Sequence, residues 1–188
     1  VVAYMNTSGR LKALAGRTGG AVCTSSNAQH VVRWAREQGK KIFFVPDQHL
    51  GRNVADQLGM DQASLVALPD PGTFSGSYRL EDVDGGLEAL DAAEMILWGS
   101  FCGVHTVFKP EMVDHWKRDG RTVLVHHESP VETVRAADGS GSTNFLWKAV
   151  MDAQPGDRLA IGTEGHFVRN AKAEGAKRGV DIVHLAEV

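Results

Sequence analysis

His126 and Glu128 stand two residues apart at the end of the apolar run Thr122-Val123-Leu124-Val125. In a strand, residues i and i+2 face the same way. An imidazole beside a carboxylate is an acid/base pair in which each group tunes the other. Both are also zinc donors, but no HExxH or paired CxxC accompanies them, so the zinc signal is weak. His127 would point to the opposite face and reads as structural. Tyr4 and Asn6 share the same spacing. Their hydroxyl and amide could bind a carboxylate, or the phenol could move a proton; a half-buried strand aromatic is the plainer reading of Tyr4. Ser25 in Ser25-Ser26-Asn27, and Thr143 after Ser142, fall where helices should begin. Free N–H groups and the helix dipole there attract phosphate or carboxylate. Two such termini suit a substrate with two anionic ends, although each taken singly is an ordinary cap. Cys102 lies in Gly99-Ser100-Phe101-Cys102-Gly103-Val104-His105. It could ligate a metal, act as a nucleophile beside His105, or be an inert thiol.

These residues need elements to hold them. Val1–Met5, Lys41–Val45, Met95–Trp98, Thr122–Val125, Arg158–Ile161 and Asp181–Leu185 are short apolar runs that read as strands. Helices are expected around Leu11–Ala15, from about Ala28 to Gln38, and from Thr143 to about Asp152. Strand, helix, strand with short connections predicts α/β architecture with parallel sheets covered on both faces. Ligands of such sheets bind beyond the carboxyl ends of the strands. The candidates above sit there, together with Asp47, His49, Glu164 and His166. The halves also match at a constant spacing of 117 positions: Ser25-Ser26-Asn27 with Ser142-Thr143-Asn144, Asp47 with Glu164, His49 with His166, and Arg52-Asn53 with Arg169-Asn170. A repeat of this kind is evidence of architecture, and shared capping needs would not explain the shared His and Arg. Between the halves, about 60–93, lies Pro69-Asp70-Pro71-Gly72, Ser75-Gly76-Ser77 and an acidic stretch. It reads as an insertion or lid, mostly loop, with a short helix near Leu87–Leu90.

The net charge of −3 gives no field that would gather nucleic acid or an anionic membrane. No apolar run is long enough to span a bilayer, and no signal peptide is visible, so the cytoplasm is expected. Two cysteines, Cys23 and Cys102, make no disulfide scaffold. The opening inside a strand-like run suggests a piece of a longer protein.

The motifs, taken together, resemble the quinolinate synthase family. They are Val2-Ala3-Tyr4-Met5-Asn6-Thr7-Ser8, Cys23-Thr24-Ser25-Ser26-Asn27-Ala28, Val45-Pro46-Asp47-Gln48-His49-Leu50-Gly51-Arg52, Gly99–His105, Val125-His126-His127-Glu128-Ser129-Pro130, Gly141-Ser142-Thr143 and Ile161-Gly162-Thr163-Glu164. The resemblance implies repeated three-layer αβα domains in a pseudo-threefold arrangement, two of them here: residues 1–98 as the middle domain and 99–188 as an incomplete last one. It implies condensation of iminosuccinate with dihydroxyacetone phosphate into quinolinate, in the biosynthesis of NAD, and a functional link to L-aspartate oxidase or aspartate dehydrogenase. It also implies a [4Fe–4S] cluster on three cysteines, of which Cys102 would be one and the other two lie outside this chain. Tyr4 and Asn6 would contact substrate, with Tyr4 a candidate for proton transfer. Ser25 and Thr143 would hold carboxylate or phosphate. His126 and Glu128 would bind substrate, with Glu128 handling protons. Cys23 is at a position that is no ligand in the family, and His127 stands where the family often has Pro. Two rival readings stay open: a non-catalytic module for a phosphorylated or dicarboxylate ligand, and a cysteine–histidine hydrolase built on Cys102 and His105. No nucleophile elbow supports the second.

Overall fold

The computed structural model describes residues 1–70 and 79–188. They form two compact units, Val1–Phe101 and Cys102–Val188. The stretch Pro71-Gly72 to Ser77 of the expected insertion lies outside the described residues.

The first unit is a five-stranded parallel sheet in the order β2-β1-β3-β5-β4. Its strands are β1 (Val2–Tyr4), β2 (Ala21–Cys23), β3 (Ile42–Val45), β4 (Leu65–Ala67) and β5 (Met95–Leu97). Alternation along β3 sets the layers. Ile42 and Phe44 turn into a core with Val32 of helix α2 (Ala28–Glu37) and Leu50 and Val54 of α3 (Gln48–Gln57). Phe43 and Val45 face the other way, toward Leu11 and Ala15 of α1 (Gly9–Arg17). Helices therefore cover both faces, and a fully buried side chain such as Phe44 contributes about 1.5–3 kcal/mol. Gly51 lets α3 settle onto the sheet, since a Cβ there would stand 2.5 Å from Leu97 Cδ2.

The segment expected to be mostly loop is more ordered than that. Leu65–Ala67 pairs in register with Met95–Leu97 as the edge strand β4. The apolar run Leu65-Val66-Ala67-Leu68 is the sequence signal for it, short enough to be overlooked before Pro69. A helix does form near Leu87, as α4 (Gly86–Ala92), and Lys41 Nζ ties it to the sheet through the carbonyls of Leu90 and Asp91.

The second unit is a four-stranded parallel sheet, β7-β6-β8-β9. The strands are β6 (Thr122–His126), β7 (Gly139–Gly141), β8 (Arg158–Gly162) and β9 (Asp181–His184). Leu124 and Ile161 pack with Leu146 and Val150 of α7 (Thr143–Asp152) and Val168 of α8 (Gly165–Lys177). Val123 and Val125 pack on the opposite face with Val113 of α5 (Pro110–Arg118) and Val134 of α6 (Val131–Ala136). β7 is a strand of Gly-Ser-Gly, which propensity disfavours. Its glycines make room for Phe145: a Cβ on Gly141 would lie 2.5 Å from that ring's Cγ. Among the described residues, no helix is long and apolar enough to cross a membrane.

Candidate functional site

In the second unit, the polar residues gather beyond the carboxyl ends of the strands. β6 delivers His126 as its last residue, and the turn after it carries His127, Glu128 and Ser129, all buried. The His127 N–H donates to Gly141 O at 3.0 Å, which ties this turn to the end of β7. From there the chain enters α7. Ser142 is the N-cap, accepting from the Phe145 N–H at 3.3 Å, and Thr143 is the exposed first residue of the helix.

The loop of Cys102 brings a further histidine to Glu128. His105 Nδ1 lies 2.9 Å from Glu128 Oε2, whereas His126 Nδ1 is 3.9 Å away. The sequence spacing paired Glu128 with His126; the structure makes His105 the closer partner. His126 is stacked on the His105 ring at 4.3 Å. Its Nδ1 accepts from the Glu128 backbone N–H at 3.3 Å, so its proton sits on Nε2. That fits a neutral ring: burial first, then the neighbouring His105, pushes its pKa down to about 3, against the opposing pull of Glu128. The 3.9 Å approach to the carboxylate is therefore a contact between two acceptors, not an ion pair. His127 is also buried, its ring at 85° to His126. Burial lowers its pKa to about 4.

Cys102 is half-buried, and its Sγ, a His105 nitrogen and a Glu128 oxygen lie within 4.8 Å of one another. This donor set could hold a metal. Cys23 could not readily do so. It is the last residue of β2 and is buried in the core, and burial pushes its thiol up to about 12, so the thiolate a metal needs is disfavoured.

In the first unit, Tyr4 ends β1 and is buried in the core, while Asn6 lies beyond the strand and is exposed. The Asn6 amide still reaches back, Nδ2 donating to Tyr4 Oη at 3.4 Å. Ser25 sits in the turn after β2. The cap of α2 is Asn27, whose Oδ1 accepts from Thr24 N–H at 2.7 Å and Thr24 Oγ1 at 3.0 Å rather than from the helix. Asp47 and Glu164 serve as caps of α3 and α8. His49 lies against Phe101 at 5.9 Å, and His166 is exposed.

Sheet register relates these two sets. Val2 pairs with Ala21 and Phe44, and Leu124 pairs with Gly139 and Ile161. Val2 and Leu124 thus hold the same place in their sheets. Counting onward, Tyr4 corresponds to His126, Asn6 to Glu128, and Ser25 to Thr143. The constant spacing of 117 is right for β3 and β8 but slips in the earlier strands, where loop lengths differ. Each unit therefore presents two side chains at the end of the strand next to the sheet edge and one hydroxyl after the edge strand beside it. His105 entered the sequence reading only as a neighbour of Cys102, and Thr163 only as part of a motif; folding alone reveals their contacts.

The family model described as quinolinate synthetase A protein matches residues 1–186. Curated relatives include the quinolinate synthases of Streptomyces coelicolor, 43% identical over 98% of this chain, Corynebacterium glutamicum, 42% identical over 92%, and Rhodopirellula baltica, 41% identical over 92%. The chain spans less than half the length of these relatives: 45%, 42% and 43% respectively.

Proposed function

The chain belongs to the quinolinate synthetase A protein family, and from that premise we propose that it is part of an enzyme condensing iminosuccinate with dihydroxyacetone phosphate. Phosphate and water leave, and quinolinate forms for NAD biosynthesis. The observation that carries this reading is the matched pair of strand-end sets, Tyr4, Asn6 and Ser25 in one unit and His126, Glu128 and Thr143 in the other. Cys102 approaches Glu128 in the second set.

Ser25 and Thr143 bind the anionic ends of the substrates. Thr143 does so at the start of a ten-residue helix, where N–H groups and the helix dipole favour negative charge. Tyr4 and Asn6 contact substrate through the joined hydroxyl and amide, and Tyr4 transfers a proton. His126 stays neutral and donates a hydrogen bond from Nε2. Glu128 moves protons during isomerisation and dehydration.

Cys102 fits as one thiolate ligand of a [4Fe–4S] cluster: it is accessible, loop-borne and beside a carboxylate and an imidazole. The remaining two ligands belong to the longer protein. When bound, such a cluster with an open iron position supplies Lewis-acid polarisation of a substrate oxygen. Reduced thiols and a cluster fit a cytoplasmic enzyme. Its imine substrate would come from an enzyme that oxidises aspartate, such as L-aspartate oxidase or aspartate dehydrogenase.

The test uses the full-length parent protein, reconstituted anaerobically with iron and sulfide and supplied with both substrates. Quinolinate should form with the wild type. Product and cluster absorbance should both vanish in Cys102→Ala. A wild type that holds its cluster yet forms no quinolinate would sink the reading.

A further inference from the structure

We infer that Gln48 is a positioning residue for Cys102, holding the backbone that leads into it. The inference rests on the reading of Cys102 as a metal-ligating thiolate given above. Its geometry lies elsewhere, at the start of α3, where Gln48 is the first helical residue.

The loop after β5 has little stiffness of its own. Gly99 and Gly103 flank Cys102 in the chain, and glycine has the widest backbone freedom of any residue. A stiffer residue does not fit at the first of these places, because a Cβ on Gly99 would stand 2.0 Å from the Leu68 carbonyl oxygen. The loop must therefore be held by its neighbours. Downstream, the Cys102 carbonyl accepts from the His105 N–H at 3.1 Å, the Thr106 N–H at 3.1 Å and Thr106 Oγ1 at 2.9 Å. Upstream, Gln48 supplies two donors. Its backbone N–H, at a helix start, has no partner within the helix, and it donates to Ser100 O at 2.9 Å. Its side-chain Nε2 donates to Gly99 O at 2.8 Å. Two successive carbonyls before Cys102 are thus taken by one residue, and the neighbouring His49 ring lies against Phe101 at 5.9 Å. Asp47 completes the helix start by accepting the Leu50 N–H on Oδ1 at 2.8 Å, which leaves the Gln48 N–H to the loop.

The fold itself does not need the side-chain half of this clamp. Phe44 and Ile161 are equivalent by register, opposite Val2 and Leu124. Each accepts the same strand-end bond: the Trp98 N–H donates to Phe44 O at 3.0 Å, and the Leu185 N–H donates to Ile161 O at 3.0 Å. β9 therefore corresponds to β5, Ala186 to Gly99, and Gly165 to Gln48. Gly165 opens α8 without a side chain, so the second unit closes the same strand end with no amide clamp. The clamp stands in the unit whose strand runs on into Cys102.

The test places three substitutions in the full-length parent protein. Gln48→Met keeps the length of the side chain and removes its donor. Gln48→Glu keeps the shape and sets a carboxylate against the carbonyl oxygens. Gln48→Lys offers an amine to the same carbonyl. Val54→Ala, which loosens the packing of α3 in the core and leaves the clamp intact, is the control for a purely structural role. In the metal-free protein, iodoacetamide should alkylate Cys102 roughly three- to tenfold faster in the Met variant than in the wild type, the population change expected from losing one net hydrogen bond. The Glu variant should react faster still, and the Lys variant close to the wild type. After anaerobic reconstitution with iron and sulfide, cluster absorbance should bleach roughly tenfold faster under a chelator in the Met and Glu variants, the scale of losing a group that holds a ligand in place. Val54→Ala should lower the Tm and change neither rate. Wild-type rates in either assay for the folded Met and Glu variants overturn the inference, as does a Val54→Ala variant that matches them. If the wild type itself takes up no cluster, the proposed function fails, while the alkylation rates still decide the clamp.

Discussion

Acidification should unfold this protein through two buried histidines, by an amount the structure sets. His126 is held down to about 3 and His127 to about 4, each chiefly by burial. Both values lie below the ordinary 6.5 of an unfolded histidine. The unfolded chain therefore takes up protons first as pH falls. The stabilising contribution is complete above about pH 6.5 and is lost as pH drops from there toward the folded values. At about pH 5 the unfolded state is favoured by roughly 1.5 pH units per group, about 2 kcal/mol each and about 4 kcal/mol for the pair. That is a large share of the 5–15 kcal/mol typical of a whole domain. Urea unfolding at about pH 7.5 and about pH 5 measures it, in a background with Trp34 and Trp98 of the first unit replaced by Phe, so that Trp116 and Trp147 of the second unit give the fluorescence signal. His127→Gln keeps a polar side chain but cannot take a proton. Its loss between the two pH values should be smaller than the wild type's by about 2 kcal/mol. Equal losses in the two proteins would refute the reasoning, whatever their absolute stabilities.

Two further outcomes follow from the geometry. Gly141→Ala should cost about 1–3 kcal/mol by overpacking, because its Cβ would stand 2.5 Å from Phe145 Cγ and 2.6 Å from Phe145 Cβ. In a double-mutant cycle, Phe145→Ala should recover most of that cost, and strictly additive losses by thermal unfolding would show that the clash is not the cause. Iodoacetamide at mildly alkaline pH should alkylate Cys102 in the folded, metal-free chain and spare Cys23, whose burial raises its pKa to about 12. Peptide mass spectrometry reads this directly, and equal labelling of both would contradict the buried placement of Cys23.

The sequence was most informative where one strand or one motif carried the message. The apolar runs at Ile42–Val45, Thr122–His126 and Arg158–Gly162 are strands because alternate residues feed two cores, a pattern visible in the letters. The parallel α/β class followed from their spacing with helices. β7 was not legible, because Gly-Ser-Gly has little strand propensity; it pairs with β6 through its backbone while its glycines leave room for Phe145. β4 was hidden by its brevity, and its pairing with β5 depends on a residue separation no local pattern encodes. The candidate site shows the same division. Placing Tyr4, Asn6, His126, Glu128 and Thr143 at strand ends needed only the elements. Knowing that Glu128 meets His105 rather than His126 needed the path of a loop, since His126 is two residues from Glu128 and His105 is on another segment.

The comparison of the two units explains why chemistry differs where backbone does not. Strands β1 and β6 end on Tyr4 and His126 and lead to Asn6 and Glu128, at matching register. What each pair can do depends on the strand ends beside it. Next to Tyr4, the place of Thr163 is taken by Pro46, which offers no donor, and the Tyr4 hydroxyl is met by Asn6 within its own segment. Next to Glu128, β8 supplies a hydroxyl and β9 an imidazole, and the loop of Cys102 adds His105. A phenol buried at a strand end is already fixed by its own core packing. Polar side chains from neighbouring strand ends and a loop therefore gather around Glu128, where the first unit has Pro46 at the place of Thr163.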